Sequence, residues 1–312
     1  MPEKRLFLLD SYALAFRMFY AYYKSPLINS AGLNVSMVHG YWGAVLRILD
    51  THKPTHFAIV RDVSAPTFRH ELYPEYKANR GPMPEEMVVQ MPLLEETLLA
   101  SGVTLLSEPG YEADDVMASV AVAAEKAGFD QIFIVTKDKD MSQIVNEKIH
   151  LFHLEKGAEG IDFGPEQVLE KYGVPPCKIR DYLALMGDSS DNIPGVPKIG
   201  PKTAAQLLSE FDNIDNLYLN LDKISKKGLL ENLRENKEKA FLSRELVTLQ
   251  STRGFSGTLE QLEYTGLNTN ALTDIFKKNE INSLLRLLKP ISDRSTQKTL
   301  HTEMDFSKEN EP

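Results

Sequence analysis

Glu112-Ala113-Asp114-Asp115 follows Pro109-Gly110-Tyr111 and opens the apolar helical run Val116-Met117-Ala118-Ser119-Val120-Ala121-Val122-Ala123-Ala124. Three carboxylates crowd into one turn. Acids at a helix N-terminus are favoured by its unpaired N–H groups and its dipole, so this turn alone reads equally well as a capped helix start. Other acids at comparable places shift the reading. Asp10 ends Leu6-Phe7-Leu8-Leu9, Asp62 follows Phe57-Ala58-Ile59-Val60, and Asp138 and Asp140 follow Ile132-Phe133-Ile134-Val135. Each run reads as a buried strand with carboxylates at its C-terminal end, where open α/β sheets place their sites. One edge of a parallel sheet then collects negative charge that repels itself unless cations compensate it. An all-oxygen shell suits Mg²⁺ or Mn²⁺, and the pattern predicts a metal-dependent phosphodiester hydrolase.

A chain of 312 residues with 42% hydrophobic content can bury a real core as one large domain or two smaller ones. The single cysteine, Cys177, excludes an intrachain disulfide and a Cys-based zinc site, which fits a reducing, cytoplasmic setting. The apolar stretch behind the basic N-terminus stops at Asp10, too short for a secretory signal, and no apolar run approaches a membrane span. The net charge of −9 argues against nucleic acid only if charge is spread evenly. If nine carboxylates are committed to metal ions, the rest is close to neutral and local basic clusters can still track a phosphate backbone.

Taken in order, residues 5 to 10 read as a strand, Ser11 to Tyr23 as a helix carrying Arg17, and Val35 to Leu49 as an amphipathic helix with Trp42 in the core. A strand over His56 to Val60 delivers Asp62. Between Pro66 and Arg80, basic and aromatic residues alternate, including Arg69, Tyr76, Lys77 and Arg80. Aromatics that stack on bases, interleaved with cations, suit a single-strand path, although surface Tyr and Arg often do nothing specific. Glu85 to Leu99 reads as one helix after the breakers Gly81 to Pro84. Strands over Val103 to Leu106, Gln131 to Val135 and Ile149 to Leu154 complete an alternation that indicates a parallel, doubly wound sheet. His150 and His153 would point to opposite faces of the last strand, which disfavours a shared metal. Beyond Phe163 the pattern reads as helices only. Asp188 and Asp191 stand at the i, i+3 spacing of one helical face, or cap a turn. From Gly195 through Val196, Lys198, Gly200, Lys202 and Thr203, two glycines bracket a short hairpin and Pro201 opens a helix, a terminus whose N–H groups form an anion site. Pro201 breaks the Walker A pattern and excludes that reading. The mixed charges between Leu221 and Leu249 read as a solvated face.

Together, Asp10, Asp62, the Glu112 to Asp115 turn, Thr136-Lys137-Asp138-Lys139-Asp140, Gly187-Asp188-Ser189-Ser190-Asp191-Asn192 and the Gly195 to Thr203 hairpin resemble the 5′-nuclease (flap endonuclease) family, which includes the nuclease domain of bacterial DNA polymerase I. The likeness spans residues 4 to 290. It implies an α/β nuclease core over 1–185 with a helical arch at about 76–100, a helical region over 186–290 with a helix-hairpin-helix of the helix-three-turn-helix type, and a polar tail or linker over 291–312. It implies a structure-specific 5′-3′ exonuclease and flap endonuclease working with two divalent ions in replication and repair. Asp10, Asp62, Glu112, Asp114 and Asp115 match one metal's ligands or their hydrogen-bonded partners; Asp138, Asp140, Asp188 and Asp191 match the second group. Lys77 and Arg80 match catalytic residues at the arch base. Tyr76 would stack on an unpaired base, and Arg17 matches a phosphate contact. Arg69 and hairpin residues Gly195, Val196, Lys198, Gly200, Lys202 and Thr203 complete the DNA-binding set, with a monovalent cation such as K⁺ at the hairpin. The implied partners are DNA with 5′ flaps, nicks or 5′ ends, RNA–DNA hybrids and a DNA polymerase; the implied state is a cytoplasmic, nucleoid-associated monomer.

Two positions depart from the family pattern. Ser11 stands where glycine is common, and Arg61 precedes Asp62 where an apolar residue is common, which places a cation beside the cluster. Nothing but a polar tail follows Pro290, which leaves a stand-alone nuclease and a piece of a longer polymerase both open. A non-catalytic junction-binding protein is the rival from another class, but it gains nothing from so much negative charge near phosphates. A PIN-type ribonuclease also gathers acids at parallel strand ends, but it leaves Asp188, Asp191 and the hairpin unexplained.

Overall fold

The apolar runs become the centre of one six-stranded sheet in the computed structural model, which describes residues 3–63, 65–155 and 160–291. Strands β1 (Arg5–Asp10), β2 (His56–Val60), β3 (Thr104–Leu106), β4 (Gln131–Val135), β5 (Ile149–Leu154) and β6 (Gly160–Phe163) lie in the order β3-β2-β1-β4-β5-β6. All neighbours are parallel except β5 and β6. Leu6, Phe7, Leu8 and Leu9 are all 0% exposed, which is why β1 reads as an unbroken apolar run rather than an alternation. Leu6 and Leu8 join one hydrophobic cluster, Phe7 and Leu9 the other, as the period of two requires. The chain runs outward from β1 to β2 and β3, then returns to β4 on the other side. The crevice at the carboxyl ends of β1 and β4 is thus the switch point of the sheet.

Helices α1 (Ser11–Tyr22) and α2 (Ser36–His52) cover the Phe7 face. The short helices α3 (Phe68–Leu72) and α4 (Glu85–Val88) lead to α5 (Met91–Ala100), and α6 (Ala113–Lys126) covers the Leu6 face. Helices α7 (Pro165–Tyr172), α8 (Ile179–Met186), α9 (Pro201–Phe211), α10 (Ile214–Leu219), α11 (Lys227–Glu235), α12 (Lys237–Val247), α13 (Thr269–Lys278) and α14 (282–291) follow. Among the described residues no helix is long and apolar enough to cross a membrane.

Two expectations are corrected. Strands do not end with β5: Gly160–Phe163 adds an antiparallel edge strand, invisible in sequence because Ile161 and Asp162 face solvent and leave no apolar run. The single helix expected over Glu85 to Leu99 is two, because Pro92 in the first turn of α5 cannot continue a preceding helix. The buried Gln90 holds the break, accepting from Met37 N at 2.9 Å and donating to Glu86 O at 2.9 Å. The end of the helical region expected over 186–290 packs back against the core. Tyr264 N donates to Thr55 O, Asn268 N donates to Ser101 O, and Leu272, Phe276, Leu284 and Leu288 bury in the Phe7-face cluster. Amphipathic spacing predicts those helices but not their partner. Within the segment expected as an arch, α5 is packed: Trp42 Nε1 donates to Thr97 Oγ1 at 2.7 Å, and the Trp42 ring meets Phe276 edge-on at 6.1 Å. Of the tail expected over 291–312, all but Ile291 lies outside the described residues.

The turn after α8 is built on two glycines. Gly187 and Gly195 both have positive φ, and a Cβ on Gly195 would stand 2.4 Å from Gly187 N. Only bare backbone permits that approach. Gly195→Ala is expected to destabilise the fold by about 3 kcal/mol or more, since a strained φ and a backbone clash add. Urea denaturation against the unaltered chain measures it.

Candidate active site

The sheet edge gathers the acids as its topology requires. Asp10 ends β1 and caps α1, accepting from Ala13 N at 2.9 Å, while Thr136, just past β4, donates from Oγ1 to Asp10 Oδ2 at 3.2 Å. Asp62 accepts from Ala113 N at 2.8 Å, one of the unpaired amides at the start of α6. Burial pushes the Asp10 carboxyl up to about 6, with the charges of Asp62 and Asp138 adding to the rise. Asp114 and Asp140 are held well above the ordinary carboxylate range, by burial first. Asp138, Asp10 and Asp62 press on Asp114; Asp138, Asp188 and Asp191 press on Asp140. Asp188 differs. Burial acts to raise it, but hydrogen bonds from Lys139 and Ser190 prevail and hold it below its usual value. Lys139 Nζ lies 2.9 Å from Asp188. Lys137 turns away to Glu155 at 2.8 Å.

A second group surrounds Glu112 and Asp191. Glu112 Oε1 accepts from Lys77 Nζ at 2.6 Å, and Oε2 lies 2.9 Å from the Tyr76 hydroxyl. Asp191 receives Arg80, and Lys77 Nζ stands 3.8 Å from it. The backbone is tied as well: Lys77 N donates to Asp191 O at 2.9 Å, Asn79 Nδ2 to Ser189 O at 2.6 Å, and Asn192 Nδ2 to Glu75 O at 2.7 Å. Lys77 and Asn192 both adopt left-handed φ to make these turns. The structure therefore brings Lys77 and Arg80 to the acid edge, beside Asp191.

Asp115 and Arg69 have other work. Asp115 is fully buried and takes a bidentate pair from Arg69 at 2.6 and 2.9 Å, plus the Gln250 amide at 2.9 Å. Arg69 spends all five N–H groups, on Asp115 twice, Glu112, Leu246 O and Thr248 O. Asp115 is thus saturated away from the other acids, and Arg69 has no donor left for a phosphate. Tyr76 is corrected too. Its ring is 4% exposed within the core, so it presents no face to a base. At the hairpin, Gly195 N donates to Ser243 Oγ and Val196 N to Leu185 O, so those amides are committed inward. Lys198 and Lys202 are exposed, and α9 starts at Gly200 with no side-chain cap, which leaves the Lys202 and Thr203 amides open. Arg17 is half-buried on α1 beside Thr136 and Lys137. Arg61 is neutralised by Glu95 at 2.6 Å rather than facing the acids. His150 pairs with Asp162, and His153 stacks on Phe163 at 4.4 Å. Sequence reading missed the bond from Thr136 to Asp10 and the role of Ser243. Only the tertiary fold reveals them.

The donor set fits a hard divalent cation: every group is a carboxylate oxygen, and Asp140 Oδ1 is buried with no hydrogen-bond partner. Among the described residues no three acids are drawn together about one point, because lysines, Arg80 and backbone amides hold them apart. Cations would have to displace part of that network.

Two predictions follow from these contacts. Arg69→Met is expected to cost about 3 to 5 kcal/mol by stranding the Asp115 charge, while Arg69→Met with Asp115→Leu recovers much of it, as a double-mutant cycle in urea would report. The raised Asp10 group binds its proton more tightly folded than unfolded. Without divalent ions, its contribution is therefore full below about pH 4 and lost as pH rises through about 6, so stability declines across that window. Chelated protein unfolded at a series of pH values tests the sign.

Comparisons with known proteins agree with this fold. The family model for the 5′-3′ exonuclease N-terminal resolvase-like domain matches residues 5–173, and that for the 5′-3′ exonuclease C-terminal SAM fold matches residues 174–270. DNA polymerase I of Bacillus subtilis is 39% identical over 288 residues, 92% of this chain and 32% of that protein. The chain spans about a third of the length of the curated relatives it matches. The T5 D15 protein, crystallised with metal ions, superposes at TM-score 0.67 with 20% identity, over 91% of this chain and 99% of its own. The catalytic core of Rad2, solved with a DNA substrate, superposes at TM-score 0.57 with 16% identity, over 93% and 92%.

Proposed function

This chain belongs to the 5′-3′ exonuclease family, matched in both its resolvase-like and its C-terminal helical parts, and on that premise we propose that it is a structure-specific 5′-3′ exonuclease and 5′-flap endonuclease acting on DNA in replication and repair. The observation that carries the reading is the convergence of Asp10, Asp62, Asp114, Asp138, Asp140, Asp188 and Asp191 on the switch-point edge, with Lys77 and Arg80 alongside.

Asp10, Asp62, Asp114 and Glu112 would hold one divalent ion, Mg²⁺ or Mn²⁺, and Asp138, Asp140, Asp188 and Asp191 a second. Bound there, such ions supply Lewis acidity toward a phosphate ester. The chain's own residues do the rest. Lys77 and Arg80, released from Glu112 and Asp191, neutralise charge that grows on the phosphoryl oxygens. Lys198, Lys202 and the open amides of Lys202 and Thr203 hold a duplex backbone without reading its sequence. None of these groups addresses a base edge, so a 5′ end on an RNA–DNA hybrid is included in the proposal. A K⁺ ion at the hairpin, a DNA polymerase as partner, the monomeric state and a nucleoid setting belong to it on the resemblance alone.

Asp114→Asn is expected to abolish Mg²⁺-dependent cleavage of an end-labelled 5′-flap duplex while junction binding persists. Asp115→Asn is expected to lose thermal stability first. Lys77→Ala should slow single-turnover cleavage by two or more orders of magnitude, in the range of about 10²–10³ typical for removing a charge-stabilising donor, with little change in affinity. Full cleavage by Asp114→Asn would refute the assignment of the acids.

A further inference from the structure

Three arginines away from the acid edge face one cavity, with Glu155 the one facing acid among the described residues. Arg17 on α1, Arg47 on α2 and Arg286 on α14 line a space of about 490 Å³, and none of them forms a hydrogen bond or ion pair among the described residues. Lys137 holds that Glu155 at 2.8 Å, ahead of the weaker pull of Arg17. His39, also on the wall, is kept toward its neutral form by burial first and then by the charge of Arg47, and it is occupied by Tyr22 at 3.2 Å and Ser283 at 2.8 Å. Gly40, Gly43 and Ala44 on α2 contribute no long side chain, which keeps the space open. In a chain of net charge −9, three unpaired guanidiniums on one wall are an anomaly. Their mutual repulsion falls only when an anion enters, and the planar fork of arginine matches phosphate bidentately.

One of the three arginines links the cavity to the neighbourhood of the acid edge. Arg17 also borders a smaller space of about 140 Å³ shared with Thr136 and Lys137, and Thr136 donates to Asp10. Along α1 the seven residues from Asp10 to Arg17 rise about 10 Å, which corresponds to roughly three nucleotides at about 3.4 Å of axial rise each. We propose that Arg17, Arg47 and Arg286 form a second phosphate site that holds the sugar-phosphate backbone of a nucleic-acid strand roughly three nucleotides from the acid edge, separately from the hairpin. The proposal rests on the nuclease reading for the identity of the strand. Inorganic phosphate and free nucleotides offer the same chemistry, and the test separates them.

The full chain and its Arg47→Gln/Arg286→Gln variant would be titrated with a labelled 5′-flap duplex in EDTA over a series of salt concentrations, by anisotropy. Both side chains stand on exposed helix positions without partners, so folding should not suffer. The slope of log K against log salt is expected to become shallower by about 1.8, at about 0.9 per lost contact. Arg47→Lys/Arg286→Lys should restore most of it, and Lys278→Gln, an exposed cation on α13, should leave it unchanged. An unchanged slope in the double Gln variant overturns the site, as does an equal change with Lys278→Gln. Inorganic phosphate titrated by calorimetry forms the second arm: binding lost in the Gln variant with an intact DNA slope would assign the cavity to free anions and overturn the strand reading. Cleavage in Mg²⁺ is scored separately. A shallower slope in a chain that never cuts would sink the nuclease reading and leave this site standing, whereas cutting with an unchanged slope would remove the site alone.

Discussion

Repulsion among carboxylates at one edge of the sheet is the constraint on which the rest of the structure depends. Seven acids from five chain segments meet where β1 and β4 end, and the fold offsets their repulsion in three ways. Burial and mutual charge raise the Asp10, Asp114 and Asp140 carboxyls, so a proton is held there more tightly than on a free carboxylate. Backbone amides contribute, from Ala13 to Asp10, Ala113 to Asp62 and Asp140 to Asp138. Side-chain cations complete the set, with Lys139 on Asp188 and Lys77 and Arg80 around Asp191. Each cation comes from a different part of the chain than the acid it meets, so offsetting the charge also positions the chain. The segment from Glu75 to Arg80 is fixed against the turn from Ser189 to Asn192 because both are needed at the same place.

The Arg69–Asp115 pair is a joint of another kind. It is buried, so it adds little net stability over an apolar pair of the same volume, yet either partner alone would be costly. What it supplies is register. One guanidinium ties α3 to the first turn of α6 and to the carbonyls of Leu246 and Thr248 at the end of α12. Glu112, held in the same grip, is thereby set where Lys77 and Tyr76 reach it. Ser243 repeats the device on α12 by accepting the Gly195 amide, so one helix anchors both the hairpin and the start of α6.

Much of this was legible in the sequence, for a physical reason. Strands buried on both faces must be continuously apolar, so Leu6 to Leu9 or Ile132 to Val135 followed by aspartate announces both the strand and the edge it points to. The same argument could not separate Asp114 from Asp115. Adjacent helical residues differ by about 100° in direction, so one faces the acids and its neighbour faces Arg69, and a pair of identical letters carries no sign of it. Nor could alternation of basic and aromatic residues between Pro66 and Arg80 say which side chains are wet. Tyr76 and Arg69 went inward and Arg80 stayed half-exposed, decided by contacts with Glu112, Asp115 and Leu246 far along the chain. Edge strand β6 was hidden for the opposite reason, since half of it is wet.

The net charge of −9 then takes on a definite meaning. Acids concentrated on one edge repel a phosphate there, while exposed Lys198 and Lys202 at the hairpin and the unpaired Arg17, Arg47 and Arg286 attract it elsewhere. A polyanion can therefore dock on the flanks of the proposed site before its phosphate can approach the acids. On the proposed reading, approach requires divalent cations at the edge, and Lys77 and Arg80 must move from carboxylates to phosphate as those cations take over Glu112 and Asp191. Cation binding and phosphate binding are then linked by free energy, each strengthening the other by the same factor. The acidity of the chain is thus compatible with a nucleic-acid substrate: the negative edge resists an unaccompanied phosphate, and the positive flanks fix where along the strand the accompanied one arrives.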